Sequence, residues 1–154
     1  MATSDQAPPV ILTDEMKQMI TRLRLCYVAT ASREGEPNLS PKGSLKVLDD
    51  SHLAFADMAS PQTIANLRVN PRIEINIVDP ILRRGFRFKG QAVVSQDAEL
   101  MRVVGEGLGA DYPIQRAVSV AVEKAAAVQS PVYMFTDQTE ESIKAQWLQI
   151  YGFR

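Results

Sequence analysis

This chain of 154 residues contains one cysteine, one histidine and almost no excess charge, and each shortage excludes a class of protein. A single cysteine cannot form an intrachain disulfide bond, and one cysteine with one histidine is too few for a zinc cluster. Seventeen basic and eighteen acidic residues leave a formal charge of -1, which attracts neither nucleic acid nor an anionic membrane surface. We therefore expect no metal centre and no nucleic-acid partner.

Long apolar runs are also missing. No run reaches the roughly 20 residues that a membrane-spanning helix needs, and the opening residues MATSDQAPPV lack the basic and apolar regions of a secretion signal. We therefore expect a cytoplasmic protein with no membrane contact. The length suits one domain with a core. We predict a flexible N-terminal arm over residues 1–12 and a single domain over residues 13–154.

Short alternating segments dominate the rest of the chain and predict a mainly β protein. Helical spacing and capping residues predict four helices, over 13–24, 60–71, 96–109 and a C-terminal segment that carries Trp147. Strands are predicted over 25–32, 38–48, 52–57, 72–79, 86–95, 115–128 and 131–135. The alanines of 115–128 also allow a helix. Short strands between turns favour an antiparallel barrel or sandwich over a parallel sheet.

The segment NLSPKGSLKVL, residues 38–48, is unusually polar for a strand. Strand side chains alternate between faces, so one face would carry the side chains of Asn38, Ser40, Lys42, Ser44 and Lys46. Two ammonium groups with hydroxyls between them favour an anionic ligand. The alternative is a solvated outer face, because edge strands often carry lysine and proline.

The helix predicted after the third strand begins with SPQT. Ser60, Gln62 and Thr63 lie in its first turn, where free backbone amides and the positive end of the helix dipole suit an anion. Ordinary capping would explain Ser60 alone. A helix start one strand away from the lysine and serine face predicts a phosphate cradle. The chain has neither the P-loop nor the dinucleotide-binding glycine pattern.

A basic cluster, LRRGFRFKG, follows the alternating strand RIEINIVD. Its basic residues are Arg83, Arg84, Arg87 and Lys89, and they flank two phenylalanines. Interleaved basic and aromatic residues are also typical of single-stranded nucleic-acid binding. However, the phenylalanines alternate with Arg87 and Lys89, which favours a strand with one buried face.

The order of these segments, from VATASREGEPNLSPKGSLKVLDDSHLAFADMASPQTIANLRVNPRIEINIVD to FRFKGQA, resembles the pyridoxamine 5'-phosphate oxidase-like family of FMN-binding split barrels. The likeness covers residues 25–95. It implies a split β-barrel of about six antiparallel strands with short flanking helices. It also implies a homodimer that holds FMN in a groove at the subunit interface.

The resemblance implies a flavin site on the polar strand, the end of the next strand and the helix start, and the basic cluster adds two candidates. The predicted cofactor-binding residues are Lys42, Gly43, Ser44, Lys46, Ala56, Asp57, Ser60, Gln62, Thr63, Arg84 and Arg87. The true oxidase has an Arg-Lys pair at the positions of Gln62 and Thr63. Here the phosphate would be met by Lys42, by backbone amides, or by Arg84 and Arg87.

The chain also lacks the oxidase's C-terminal arginine and histidine, because it ends in WLQIYGFR. Vitamin B6 oxidation is therefore not the expected activity. The resemblance implies an FMN-dependent oxidoreductase acting on a small organic substrate, with reduced nicotinamide or oxygen as the second partner. The alternatives are a non-catalytic flavin-binding or redox-sensing protein, a relative that uses F420, and a dimerisation module without a ligand. No catalytic residue is assigned.

Overall fold

The computed structural model describes residues 10–153, so most of the predicted N-terminal arm lies outside the described residues. Leu12 is buried and its N–H donates to the carbonyl oxygen of Asp50 at 2.7 Å, so this end of the predicted arm is packed. The elements in chain order are α1 (Asp14–Leu23), β1 (Cys26–Ala31), β2 (Pro37–Lys42), β3 (Lys46–Val47), β4 (His52–Asp57), α2 (Pro61–Val69), β5 (Arg72–Asp79), β6 (Arg84–Ser95), α3 (Ala98–Gly105), β7 (Arg116–Gln129), α4 (Val132–Phe135) and α5 (Glu140–Ile150).

The strands form one antiparallel sheet in the order β2-β1-β5-β6-β7-β4-β3. Strands β2 and β3 are the two edges, yet only residues 43–45 separate them in the chain. Because this link is only three residues long, the two edges lie close together and the sheet curls into a half-barrel. The predicted split-barrel fold is confirmed, with seven strands rather than about six in the described chain. No described helix has the length and apolar character needed to cross a bilayer.

The core lies inside the curled sheet. Phe55, Phe88 and Ile75 are completely buried there, and α1 adds Met19 and Ile20. Burial of such side chains is the main favourable term in folding. Cys26 is also buried, as expected of a small hydrophobic residue, and burial raises the pKa of its thiol to about 12.

Two glycines allow the longest strands to approach their neighbours. A Cβ atom at Gly85 would lie 1.9 Å from the carbonyl oxygen of Ile77, and one at Gly90 would lie 2.0 Å from that of Ala121. Gly90 also follows the point where the register between β6 and β7 shifts. Any larger residue at either position would push the paired strands apart.

Two predicted strands need correction. Residues 38–48 are not one strand, because β2 ends at Lys42 and pairs with β1, whereas β3 pairs with β4. Residues 131–135 form the short helix α4, and Pro131 lies at its start with a φ of -53° that suits a helical first turn. The hydroxyl of Tyr133 donates to the carbonyl oxygen of Leu82 at 2.6 Å, which holds this helix on the β5–β6 turn. The ambiguous segment 115–128 lies in β7 from its second residue onward, as the alternation favoured.

Candidate functional site

Strand β2 turns its polar side chains inward. Lys42 is buried, and Asn38 and Ser40 are half-buried, whereas Leu39 is 66% exposed. The alternation along this strand therefore holds as far as Lys42. Because the polar face points into the half-barrel, it is not the solvated outer face that the sequence also allowed.

The buried ammonium group of Lys42 joins β2 to the start of α2. Its Nζ atom donates to Oγ of Ser40 at 2.6 Å and to Oγ of Ser60 at 2.8 Å. Burial lowers the pKa of Lys42, because the charged form loses hydration, and the negative charge of Asp57 offsets part of this effect. Hydroxyl groups are the main partners of this ammonium, which leaves its charge available to an anion.

Asp57, the last residue of β4, organises the loop before α2. One carboxylate oxygen accepts hydrogen bonds from the N–H and hydroxyl groups of Ser60, at 3.1 Å and 3.0 Å. The other accepts from Nη1 of Arg116 at 3.2 Å. The hydroxyl of Ser60 therefore donates to Asp57 and accepts from Lys42, and it does not cap the helix that it precedes.

The first turn of α2 keeps free backbone donors. Pro61 has no N–H, and in the described chain the N–H groups of Gln62 and Thr63 donate to no protein acceptor. These amides lie at the positive end of the helix dipole. Together with the ammonium of Lys42 and the hydroxyl of Ser40, they are donors of the kind that suits a phosphate group.

A pocket of about 360 Å³ lies between β2, the end of β4 and this helix start, and its lining includes Ser40, Lys42, Gly43, Ser44, Ala56 and Ser60. Ser44 is buried, and its hydroxyl oxygen accepts a hydrogen bond from the N–H of Ala56 at 2.9 Å. This bond joins the link between β2 and β3 to the end of β4. Five of the eleven predicted site residues therefore line this pocket, and a sixth, Asp57, bonds to Ser60 at its edge.

Three predicted residues at its margin have their side chains engaged elsewhere. Gln62 is exposed and donates to Oδ1 of Asn66 at 2.8 Å. Thr63 is buried and its hydroxyl accepts from Asn38 at 3.3 Å, so both can serve the pocket only through their backbone. The Nζ atom of Lys46 donates to the carbonyl oxygen of Glu106 at 2.7 Å, in a neighbouring pocket of about 220 Å³.

Arg84 and Arg87 do not reach this pocket within one chain. Arg84 forms an ion pair with Glu140 at 2.9 Å, and Arg87 forms one with Glu74 at 2.7 Å. In the sheet register Arg87 lies in the row of Tyr27 and Pro41, on the face opposite to Lys42. These arginines are close together in the sequence, but the fold directs them to other partners.

The prediction from sequence missed Arg116. It begins β7 and pairs with Asp57 across the sheet, although 59 residues separate the two in the chain. No local pattern marks this arginine. Only the antiparallel pairing of β4 with β7 reveals its role.

The fold and the pocket define a split-barrel protein whose pocket holds a buried lysine beside a helix start. The chain matches the family model described as pyridoxamine 5'-phosphate oxidase over residues 12–137 and therefore belongs to that family. Membership of this family supports a flavin-binding function.

Solved structures show the same architecture. HupZ of Group A Streptococcus is 29% identical, with a TM-score of 0.70 over 78% of this chain and 96% of that chain. An FMN-binding protein of Syntrophomonas wolfei has a TM-score of 0.67 over 76% of this chain and 86% of that chain, but at 15% identity it shows the fold alone.

A curated relative also matches in sequence. An uncharacterized protein of Methanocaldococcus jannaschii is 27% identical over 99 residues, which are 63% of this chain. The match spans 65% of the length of that relative.

Proposed function

We propose that this protein binds FMN as a homodimer and acts as an oxidoreductase on a small organic substrate. The observation that carries the proposal is the buried ammonium of Lys42, held by Ser40 and Ser60 beside the first turn of α2. Within residues 10–153 no carboxylate lies at ion-pair distance from Lys42, and burying such a lysine is costly, so an anionic ligand would offset that cost. Family membership supports flavin as the source of the anion.

The phosphate of FMN fits this donor set. Lys42 supplies the charge, Ser40 supplies a hydroxyl, and the backbone of Gln62 and Thr63 supplies free N–H groups. In this proposal these groups replace the Arg-Lys pair of the true oxidase. They meet the phosphate with one formal charge and several hydrogen bonds.

The flavin, when bound, supplies hydride and single-electron transfer, and the protein supplies orientation and electrostatics. Gly43 and Ala56 add little bulk to the pocket wall, which leaves room for a planar ring. The bond from Ala56 to Ser44 holds that wall in place. Because the flavin itself carries the redox chemistry, no acid-base residue of the protein is required.

The homodimer is supported by the outer face of β1 and β2. Leu39 is 66% exposed and Tyr27 is 45% exposed, and the register places Tyr27 opposite Pro41. Adjacent exposed apolar residues on a sheet are typical of an interface. A second copy on this face would also be the means by which Arg87 could approach a flavin, since Arg87 shares that face.

The dimer can be tested by sedimentation velocity. Leu39→Lys should shift the sedimentation coefficient from dimer to monomer and weaken FMN binding in parallel. Val93→Lys is the matched control, because Val93 is also exposed, at 62%, but lies on β6. A parent chain that sediments as a monomer at all concentrations would contradict the homodimer.

The flavin is tested by the visible absorption spectrum of freshly purified protein, with the released chromophore identified by mass spectrometry. A yellow protein that releases FMN supports the proposal. If a colourless protein took up F420 but not FMN, F420 would replace FMN as the proposed cofactor. A protein that takes up neither would refute flavin binding.

Catalysis is a separate question. Reduction of bound flavin by a reduced nicotinamide, followed by reoxidation in air over many turnovers, would support an enzyme. Flavin that binds stoichiometrically but is not turned over by any donor would instead favour a carrier or redox sensor.

A further inference from the structure

A second pocket, of about 350 Å³, lies on the other side of Ser60 from the proposed flavin pocket. It is formed by one face of α2 and the start of β7, and its lining includes Asp57, Ile64, Arg68, Gln115 and Arg116. Ala59 and Ser60 line both pockets. The loop before α2 is therefore the wall between them.

Positive charge is in excess in this second pocket. Its lining contains two guanidinium groups, of Arg68 and Arg116, and one carboxylate, that of Asp57. Asp57 is buried and already accepts from Ser60 and Arg116. Arg68 is exposed and has no acidic partner among residues 10–153.

Arg116 is held in place but keeps free donors. Its Nη1 atom donates to Asp57 at 3.2 Å and to Oε1 of Gln115 at 3.3 Å, whereas Nε and Nη2 contact no acceptor in the described part of the chain. Gln115 is itself fixed, because its backbone N–H donates to Asp57 and its side chain donates to the carbonyl oxygen of Met58, both at 2.9 Å. A guanidinium fixed in this way loses little freedom when it binds an anion.

The floor of the pocket is apolar. Pro61, Ile64 and Ala65 lie at helical spacing on the face of α2 that ends at Arg68. An apolar floor with arginines at its rim fits a ligand with an apolar body and an anionic head. Guanidinium groups bind carboxylates and phosphates in the same two-pronged way.

We propose that this pocket is a second ligand site, which binds a small organic anion through Arg68 and Arg116. The head group is a carboxylate or a phosphate, and the body is a small apolar group that rests on Ile64 and Ala65. The site does not depend on flavin binding. It shares only the wall formed by Ala59 and Ser60 with the proposed flavin pocket.

The test is a titration of the purified protein with benzoate, with phenyl phosphate and with neutral benzamide, followed by amide resonances in NMR spectra. Benzoate or phenyl phosphate should move the resonances of Ala65 and Arg116, and benzamide should not. The stronger of the two anions identifies the head group. Phenyl phosphate that moves only Gln62 and Thr63 has entered the flavin pocket, and with no shift from benzoate this overturns the proposal.

Arg68→Gln should weaken binding of the anion about tenfold, because a charge-assisted hydrogen bond is lost. Arg68 is exposed, so this variant should fold normally. The matched control is Arg33→Gln, which changes an exposed arginine in the turn before β2 and should leave the affinity unchanged. Equal affinity in the parent and in Arg68→Gln would refute the site, whatever the outcome for flavin.

Discussion

The ammonium nitrogen of Lys42 lies 2.8 Å from the hydroxyl oxygen of Ser60, although the two residues are 18 positions apart and lie on opposite sides of the pocket. Lys42 is the last residue of the edge strand β2. Ser60 lies in the loop between β4 and α2. Their contact joins the charge on the polar strand to the free amides of the helix start. The proposed phosphate site needs both features, because the ammonium supplies the charge and the amides supply further hydrogen-bond donors.

Lys42→Met should weaken FMN binding by about 10- to 100-fold, because the variant removes the charged donor to the phosphate. The free energy of unfolding should not fall, since replacing a buried charge by an apolar side chain is often neutral or stabilising. Flavin fluorescence titration and urea unfolding measure the two effects. Lys124→Met, on the exposed part of β7, is the control for both. Unchanged flavin affinity in Lys42→Met would show that the site is elsewhere.

In the alkaline range Lys42 should contribute a rise of stability with pH to the flavin-free protein, opposite in sign to the fall contributed by the Cys26 thiol, whose pKa burial raises to about 12. Burial lowers the pKa of Lys42 from its ordinary value of 10.5. Between the lowered value and 10.5, Lys42 binds more protons in the unfolded chain than in the folded chain, so its contribution to the free energy of unfolding increases with pH and levels off above this window. Urea unfolding at several pH values should give a more positive slope of the free energy of unfolding against pH in the parent than in Lys42→Met, because Cys26 is present in both proteins. Identical slopes would contradict the assignment.

FMN affinity should change in the opposite direction over the same window. The phosphate needs the ammonium form of Lys42, so binding should weaken as pH rises through its pKa. Lys42→Met should lack this alkaline loss. Fluorescence titrations of both proteins across the alkaline range provide the comparison, and a loss of equal size in the variant would assign the effect to another group.

Asp57→Asn should lower the free energy of unfolding by about 1–3 kcal/mol, because Arg116 loses its charged partner and Ser60 loses a charged acceptor. The figure is at the modest end for an ion pair because the Arg116 side chain is 27% exposed. Chemical unfolding measures the change. Asp111→Asn, in an exposed loop, should have no effect. A cost equal to that of the control would mean that the bonds around Asp57 are not structural.

Gly85→Ala should destabilise the protein by about 2 kcal/mol or more, because the added Cβ atom would lie 1.9 Å from the carbonyl oxygen of Ile77. Gly43→Ala should cost much less, since no atom lies within 4 Å of a Cβ atom at that position. Thermal unfolding of the two variants checks the difference. Equal melting temperatures of the two variants would contradict the prediction, because β5 and β6 would then move apart around the added Cβ atom with no loss of stability.

Strand alternation could be predicted from the sequence, but the direction of each face could not. The order Asn38, Leu39, Ser40 shows that polar and apolar side chains alternate, and the structure agrees. The usual rule would bury the leucine. Instead Leu39 is exposed and Lys42 is buried, because the hydroxyl oxygens of Ser40 and Ser60 accept hydrogen bonds from the ammonium within the half-barrel.

The break at residues 43–45 was not predictable from the alternation. Ser44 and Lys46 continue the polar spacing, yet the chain leaves one sheet edge there and joins the other. The strand predicted over residues 131–135 was wrong because it also depended on local pattern alone. Strand-forming residues cannot extend a sheet when β7 already pairs on both sides with β6 and β4, so Val132–Phe135 forms a helical turn.

The sequence by itself determined the mainly β class, the place of the helix start at Ser60 and the concentration of donors on residues 38–46. These are local properties, since backbone propensity, capping and side-chain alternation act over a few residues. The tertiary structure decided that Lys42 meets Ser60, that Arg116 pairs with Asp57, and that Arg84 and Arg87 face other partners. Those contacts depend on the curl and register of the sheet, which are set by packing between residues far apart in the chain.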